Sequence, residues 1–119
     1  MILTKDQILE VDDLKSVSVE VPEWGGTVLV RSMNGSDRDA FDSSLYVTNA
    51  DGSRTAEMSN LRSKLVALTM VDEANVRLFE VADIPRLALK SAAALERVFE
   101  AAQRINGIGA KAEGEALKN

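Results

Sequence analysis

A change of hydrophobic period at Val17 constrains the fold of this chain more than any other feature. Val17, Val19 and Val21 alternate with Ser16, Ser18 and Glu20, the period of two that marks a half-buried strand. After Gly25-Gly26, Val28 and Val30 alternate with Thr27, Leu29 and Arg31, so a second strand returns beside the first. A two-residue Gly25-Gly26 loop sets Val21 opposite Val30 and Glu20 opposite Arg31. A four-residue loop from Glu23 to Gly26 sets Val21 opposite Val28 and Val19 opposite Val30. Either register keeps the valines on one face. Pro22 lacks a donor for a ladder, which predicts that the first strand is an edge.

The flanking segments read as helices. Thr4 and Gln7 have capping-box spacing ahead of Ile8 and Leu9, giving a short first helix that ends near Asp12-Asp13. Ser36 is the expected cap of a second helix whose buried stripe is Phe41, Leu45 and Tyr46. The polar run Thr48–Thr55, with Asp51-Gly52 at its centre, reads as a mobile surface loop. From Glu57, Met58, Leu61, Leu65 and Leu68 recur at helical spacing and predict a central helix. The acidic middle of Val71–Phe79 predicts a reversal that returns Leu78 and Phe79 to the core. Asp83-Ile84-Pro85 opens a short helix through Leu87 and Leu89. Ser91 caps the last helix, with Leu95, Val98, Phe99, Ala102 and Ile105 as its stripe and Gly107 as its terminator. The reading is α+β: a mainly helical single domain, residues 1–109, with an N-terminal β-hairpin (about Val17-Pro22 and Thr27-Ser32) packed on helices. Residues 110–119 lack an apolar face and read as a flexible C-terminal tail.

Composition removes several function classes. The 119 residues contain neither cysteine nor histidine, which withdraws the thiolate nucleophile, the commonest general base and the commonest transition-metal ligands. With 19 acidic against 14 basic side chains and no Lys/Arg cluster, a phosphate-tracking surface is not expected, so nucleic acid is not an expected partner. Met1–Gln7 has neither a basic nor an apolar signal region, and no apolar run approaches the roughly 20 residues of a membrane span. No signal peptide, no membrane partner, no cofactor, no metal and no enzymatic activity are expected.

The order of these motifs resembles that of the tail assembly chaperones of long-tailed bacteriophages, of the lambda and HK97 type. The resemblance covers most of the chain. It is carried by Ile8-Leu9 with Asp12-Asp13-Leu14, by Val19-Glu20-Val21-Pro22-Glu23-Trp24-Gly25-Gly26, and by Gly35-Ser36-Asp37-Arg38-Asp39-Ala40-Phe41. Further along it includes Leu65-Val66-Ala67-Leu68 with Val71-Asp72-Glu73, and Leu95-Glu96-Arg97-Val98-Phe99 leading to Arg104-Ile105-Asn106-Gly107. It implies a non-enzymatic protein of the host cell cytoplasm, absent from the mature virion, which binds the tape measure protein and keeps it soluble while tail tube subunits polymerise. The tail tube protein, a frameshifted longer form of the chain and a homo-oligomer are further partners it implies. Lys118-Asn119 can be encoded by an A-rich heptamer, the kind of sequence at which such a slip occurs. The alternative reading is a structural tail component, a tail tube or tail completion protein retained in the virion.

Pro22, Trp24 and Leu29 are the candidate partner-binding residues. Trp24, the single tryptophan, is either an exposed aromatic anchor or a side chain folded over the hairpin onto a helix. The Val28/Val30 face and the Leu61/Leu65/Leu68 stripe read as core before they read as a client groove. Asp12-Asp13, Asp37/Asp39 and Asp72-Glu73 read as turn and helix-start residues before they read as cation ligands. Gly107-Ile108-Gly109 follows no strand, so it is a helix terminator and not a dinucleotide fingerprint.

Overall fold

The computed structural model describes residues 1–108. The expected tail, 110–119, and the domain boundary at Gly109 lie outside them. Along the chain run α1 (Lys5–Glu10), β1 (Ser16–Val21), a 3-10 turn (Pro22–Trp24), β2 (Gly26–Arg31) and α2 (Gly35–Ser44). Then come β3 (Tyr46–Thr48), β4 (Arg54–Ala56), α3 (Leu61–Thr69), β5 (Met70–Val71), a second 3-10 turn (Val81–Asp83), α4 (Ile84–Leu87) and α5 (Ala92–Asn106). The chain is a single α+β domain.

The hairpin adopts neither register derived above. Val21 pairs with Gly26, Val19 with Val28 and Val17 with Val30, so the loop is Pro22–Gly25. Its cause is local: Pro22 sits in the first turn of a 3-10 helix, and Gly25, at φ +71°, closes it by donating its N–H to the Pro22 carbonyl. All three registers differ by even steps, which is why the valines still share a face. Val21 and Val30 are wholly buried, Val19 and Val28 pack against the core, and only Val17, at the far end, is exposed. The sheet order β1-β2-β5 leaves β1 at an edge, although Pro22 lies one residue beyond the strand.

Against the valine face lie α5 and α3. Ala94, Leu95, Val98, Phe99 and Ala102 of α5 are buried in the expected stripe, with Ile105 partly so. Ser91 caps the helix through Oγ, and Gly107 ends it at φ +64°. The α3 helix is buried more widely than a stripe: Ser63, Leu65, Val66, Ala67 and Thr69 are all buried. A helix apolar on several sides is a central one, and α3 touches α2, α4, α5 and β2. It runs directly into β5, where Met70 pairs with Val30 and Val71 with Leu29. The central helix is thus stitched to the hairpin by backbone as well as by side chains.

Several local expectations are corrected. Asn34, not Ser36, caps α2 by accepting from the Asp37 N–H at 2.8 Å. Phe41 is buried and Leu45 half-buried, whereas Tyr46 is exposed because it has left the helix for β3. The segment expected as a loop forms the β3–β4 hairpin, whose Asn49 side chain bonds to Ser53 and Thr55. Met58 precedes α3 and is exposed. Phe79 returns to the core but Leu78 does not, and α4 ends at Leu87, leaving Leu89 exposed.

The α1 helix makes its Thr4/Gln7 capping box as expected yet buries no residue at all. Leu65→Ala is therefore expected to lower the unfolding free energy by about 2–5 kcal/mol, and Leu9→Ala by less than about 0.5 kcal/mol. Equilibrium urea unfolding of the two variants measures this, and equal losses would contradict the assignment of the core.

Candidate functional site at the hairpin tip

The β1–β2 turn is held against the helices by an ion pair. Arg97 of α5 donates its Nε–H to both Glu23 carboxylate oxygens, at 2.9 and 3.0 Å. With its tip tethered, the hairpin places Trp24 half-buried on the core rather than projecting into solvent. Trp24 packs against the core and also borders a surface hollow.

That hollow, about 630 Å³, is lined by Trp24, Phe79, Asp83, Arg86, Leu87, Leu89 and Lys90. Its floor is apolar, since Leu87 is buried and Phe79 half-buried. Leu89 stands at the rim, 86% exposed. The bend between α4 and α5 produces this placement. Pro85 opens α4 and Ser91 caps α5, so only one helical turn fits between them and Leu89 is thrown outward. Arg86 and Lys90 form no ion pair among the described residues, while Asp83 accepts the Glu80 N–H. An apolar floor with an exposed leucine and unpaired cations has the character of a contact site for an amphipathic segment.

The three sequence candidates do not converge. Pro22 is exposed at the start of the turn, and Trp24 lines the hollow. Leu29 lies on the opposite face of the sheet, across from Ser18, where it borders a smaller depression with Leu14 and Val71. Period-two parity already separates Leu29 from Val28 and Val30. Sequence reasoning missed Arg86, Leu89 and Lys90 because it carried the helix through Leu89. The close spacing of Pro85 and Ser91 was the available signal.

The acidic residues have structural work. Asp37 at the start of α2 receives Arg77 at 3.1 Å and Arg31 at 3.7 Å, tying β2, α2 and the segment after β5 together. Asp72 Oδ1 accepts the N–H groups of Ala74 and Val76, which folds the turn around Asn75. Among the described residues no group of three acidic side chains is placed to hold a metal ion. No helix among them is long and apolar enough to cross a membrane.

No family model matches the chain, and no curated protein matches it significantly. Among solved structures it is similar to the tail assembly chaperone of bacteriophage HK97, with a TM-score of 0.59 and 14% sequence identity. The similarity covers 87% of this chain and 94% of that one. At this identity the likeness establishes a shared fold.

The tether at the tip has a measurable signature. The Glu23 carboxyl is held below the ordinary glutamate value, first by its own backbone N–H and then by Arg97. A lowered folded-state pKa stabilises the protein above the unfolded pKa, and that contribution is lost as pH falls through the folded value. Carboxyl carbon shifts followed through an acid titration should give Glu23 a midpoint below 4.5, moving upward in Arg97→Gln. A midpoint indifferent to that substitution would disconnect the turn from α5.

Proposed function

We propose that this protein is a phage tail assembly chaperone, which binds the tape measure protein and keeps it soluble while the tail tube polymerises around it. The observation that carries the reading is the shared fold with the HK97 tail assembly chaperone over nearly the full length of both chains. The apolar hollow at the hairpin tip supports it by offering a place for one face of a client helix. A long client destined to lie within a tube exposes apolar surface until the tube encloses it, and an apolar floor ringed by Arg86 and Lys90 suits such a segment. In this reading Trp24 and Leu89 make the contact, Phe79 and Leu87 form its floor, and the β1 edge is a secondary contact for an extended segment. The chain acts without chemistry in the host cell cytoplasm and leaves before the virion is complete.

Co-expression with the tape measure protein of the same phage tests this. The client is expected in the soluble fraction only when the chaperone is present, and Leu89→Asp should send most of it to the pellet while the chaperone itself stays folded by circular dichroism. A client equally soluble without the chaperone would overturn the reading. Stoichiometric presence in purified virions would favour the structural tail component instead.

A further inference from the structure

The hollow at the hairpin tip carries a charge pattern as well as an apolar floor. Arg31, Arg38, Arg62, Arg77 and Arg97 each sit in an ion pair. Arg86 and Lys90 both line the hollow, both are exposed, and neither has an ion-pair partner among the described residues. Two free cations at one hollow stand against the net charge of -5 on the chain as a whole. They lie four positions apart across a turn in which the Leu89 N–H donates to the Arg86 carbonyl at 3.2 Å and the Lys90 N–H to that of Leu87 at 3.0 Å. Four residues of such a turn rise roughly 6–8 Å, close to the separation of side chains at i and i+4 on a helix.

The nearby carboxylates are already engaged. Asp83 lines the hollow too, and its Oδ2 accepts the Glu80 N–H at 2.9 Å. Glu23, in the turn beside Trp24, is held by Arg97. The charged lining is therefore two cations against one carboxylate. We propose that the hollow selects an amphipathic helix that carries acidic side chains along one flank of its apolar stripe. Such selection rests on the client role proposed for the hollow and specifies which kind of segment fills it. The stripe meets Trp24, Phe79 and Leu89, and carboxylates one turn apart on the flank meet Arg86 and Lys90. Asp83 opposes a carboxylate at its own end, which confines the acidic flank to the Arg86/Lys90 side. An uncharged flank would cover the two cations without replacing the water they lose. Because both cations are exposed, their pairs discriminate between segments more than they add to affinity.

Three synthetic helical peptides without tryptophan, sharing one apolar stripe and differing only in a flank of Glu, Gln or Lys, test the charge preference, with Trp24 emission as the readout. The Glu peptide is expected to bind the full chain about tenfold more tightly than the Gln peptide, with the Lys peptide weakest, and added salt should remove most of the difference. Arg86→Glu/Lys90→Glu alters only exposed side chains and should reverse the ranking while circular dichroism stays unchanged. Lys5→Glu/Arg104→Glu makes the same change of net charge outside the hollow and should preserve the ranking. Equal binding of the Glu and Gln peptides, preference of the unaltered chain for the Lys peptide, a ranking reversed by the Lys5/Arg104 variant, or no binding by any peptide would each overturn the proposal. The client role fails on a different observation, a tape measure protein equally soluble without this chain. A client solubilised by a chain that binds the Glu and Gln peptides equally would keep that role and remove the acidic flank.

Discussion

The architecture depends on burial of the valine face of the β1–β2 hairpin against α5 and α3. Val21 and Val30 retain no accessible surface, and neither do Leu65, Val66 and Val98 from the helices. At roughly 1.5–3 kcal/mol for each fully buried side chain of this size, this contact outweighs any exposed ion pair in the molecule. It also fixes direction. Once the valines face the helices, the turn must lie over α5, where Arg97 meets Glu23. The joining of α3 to β5 then closes the sheet on its other side.

The hollow at the tip is a consequence of that packing rather than a local motif. It is assembled from Trp24 in the turn, Phe79 in the irregular segment after β5, and residues 83–90 around α4. Their separation in sequence means that the site exists only when hairpin, α3 and α5 are all in place. The β1 edge and the β3–β4 hairpin are more local features, and both are polar or strongly exposed.

Those parts of the fold set by short-range rules were legible in the residues. The valine alternation, the Thr4/Gln7 capping box, the Ser91 cap, the α5 stripe and the Gly107 terminator all rest on interactions spanning a few positions. The hairpin register was not, because a one-turn 3-10 helix at Pro22–Trp24 competes with the simpler glycine turn and shifts the pairing by an even step. Nor was the extent of α3's burial, which depends on neighbours on several sides rather than on its own periodicity. Of the hollow, Trp24 was identified, while Arg86, Leu89 and Lys90 were hidden by an overlong helix. Leu29 was placed with Trp24 although strand parity directs it to the opposite face.

What distinguishes the molecule from a merely stable domain is apolar surface left uncovered among the described residues, at α1 and the tip hollow in particular. A protein that holds a long client until a tube encloses it needs surface of this kind, accessible yet backed by a rigid core. Amide hydrogen exchange of the protein alone and after mixing with the tape measure protein proposed as its client tests that account most directly. The account predicts slowed exchange at Glu23–Gly25 and at Arg86–Lys90 upon binding. Slowing confined to the β3–β4 hairpin, or none anywhere in the complex, would contradict it.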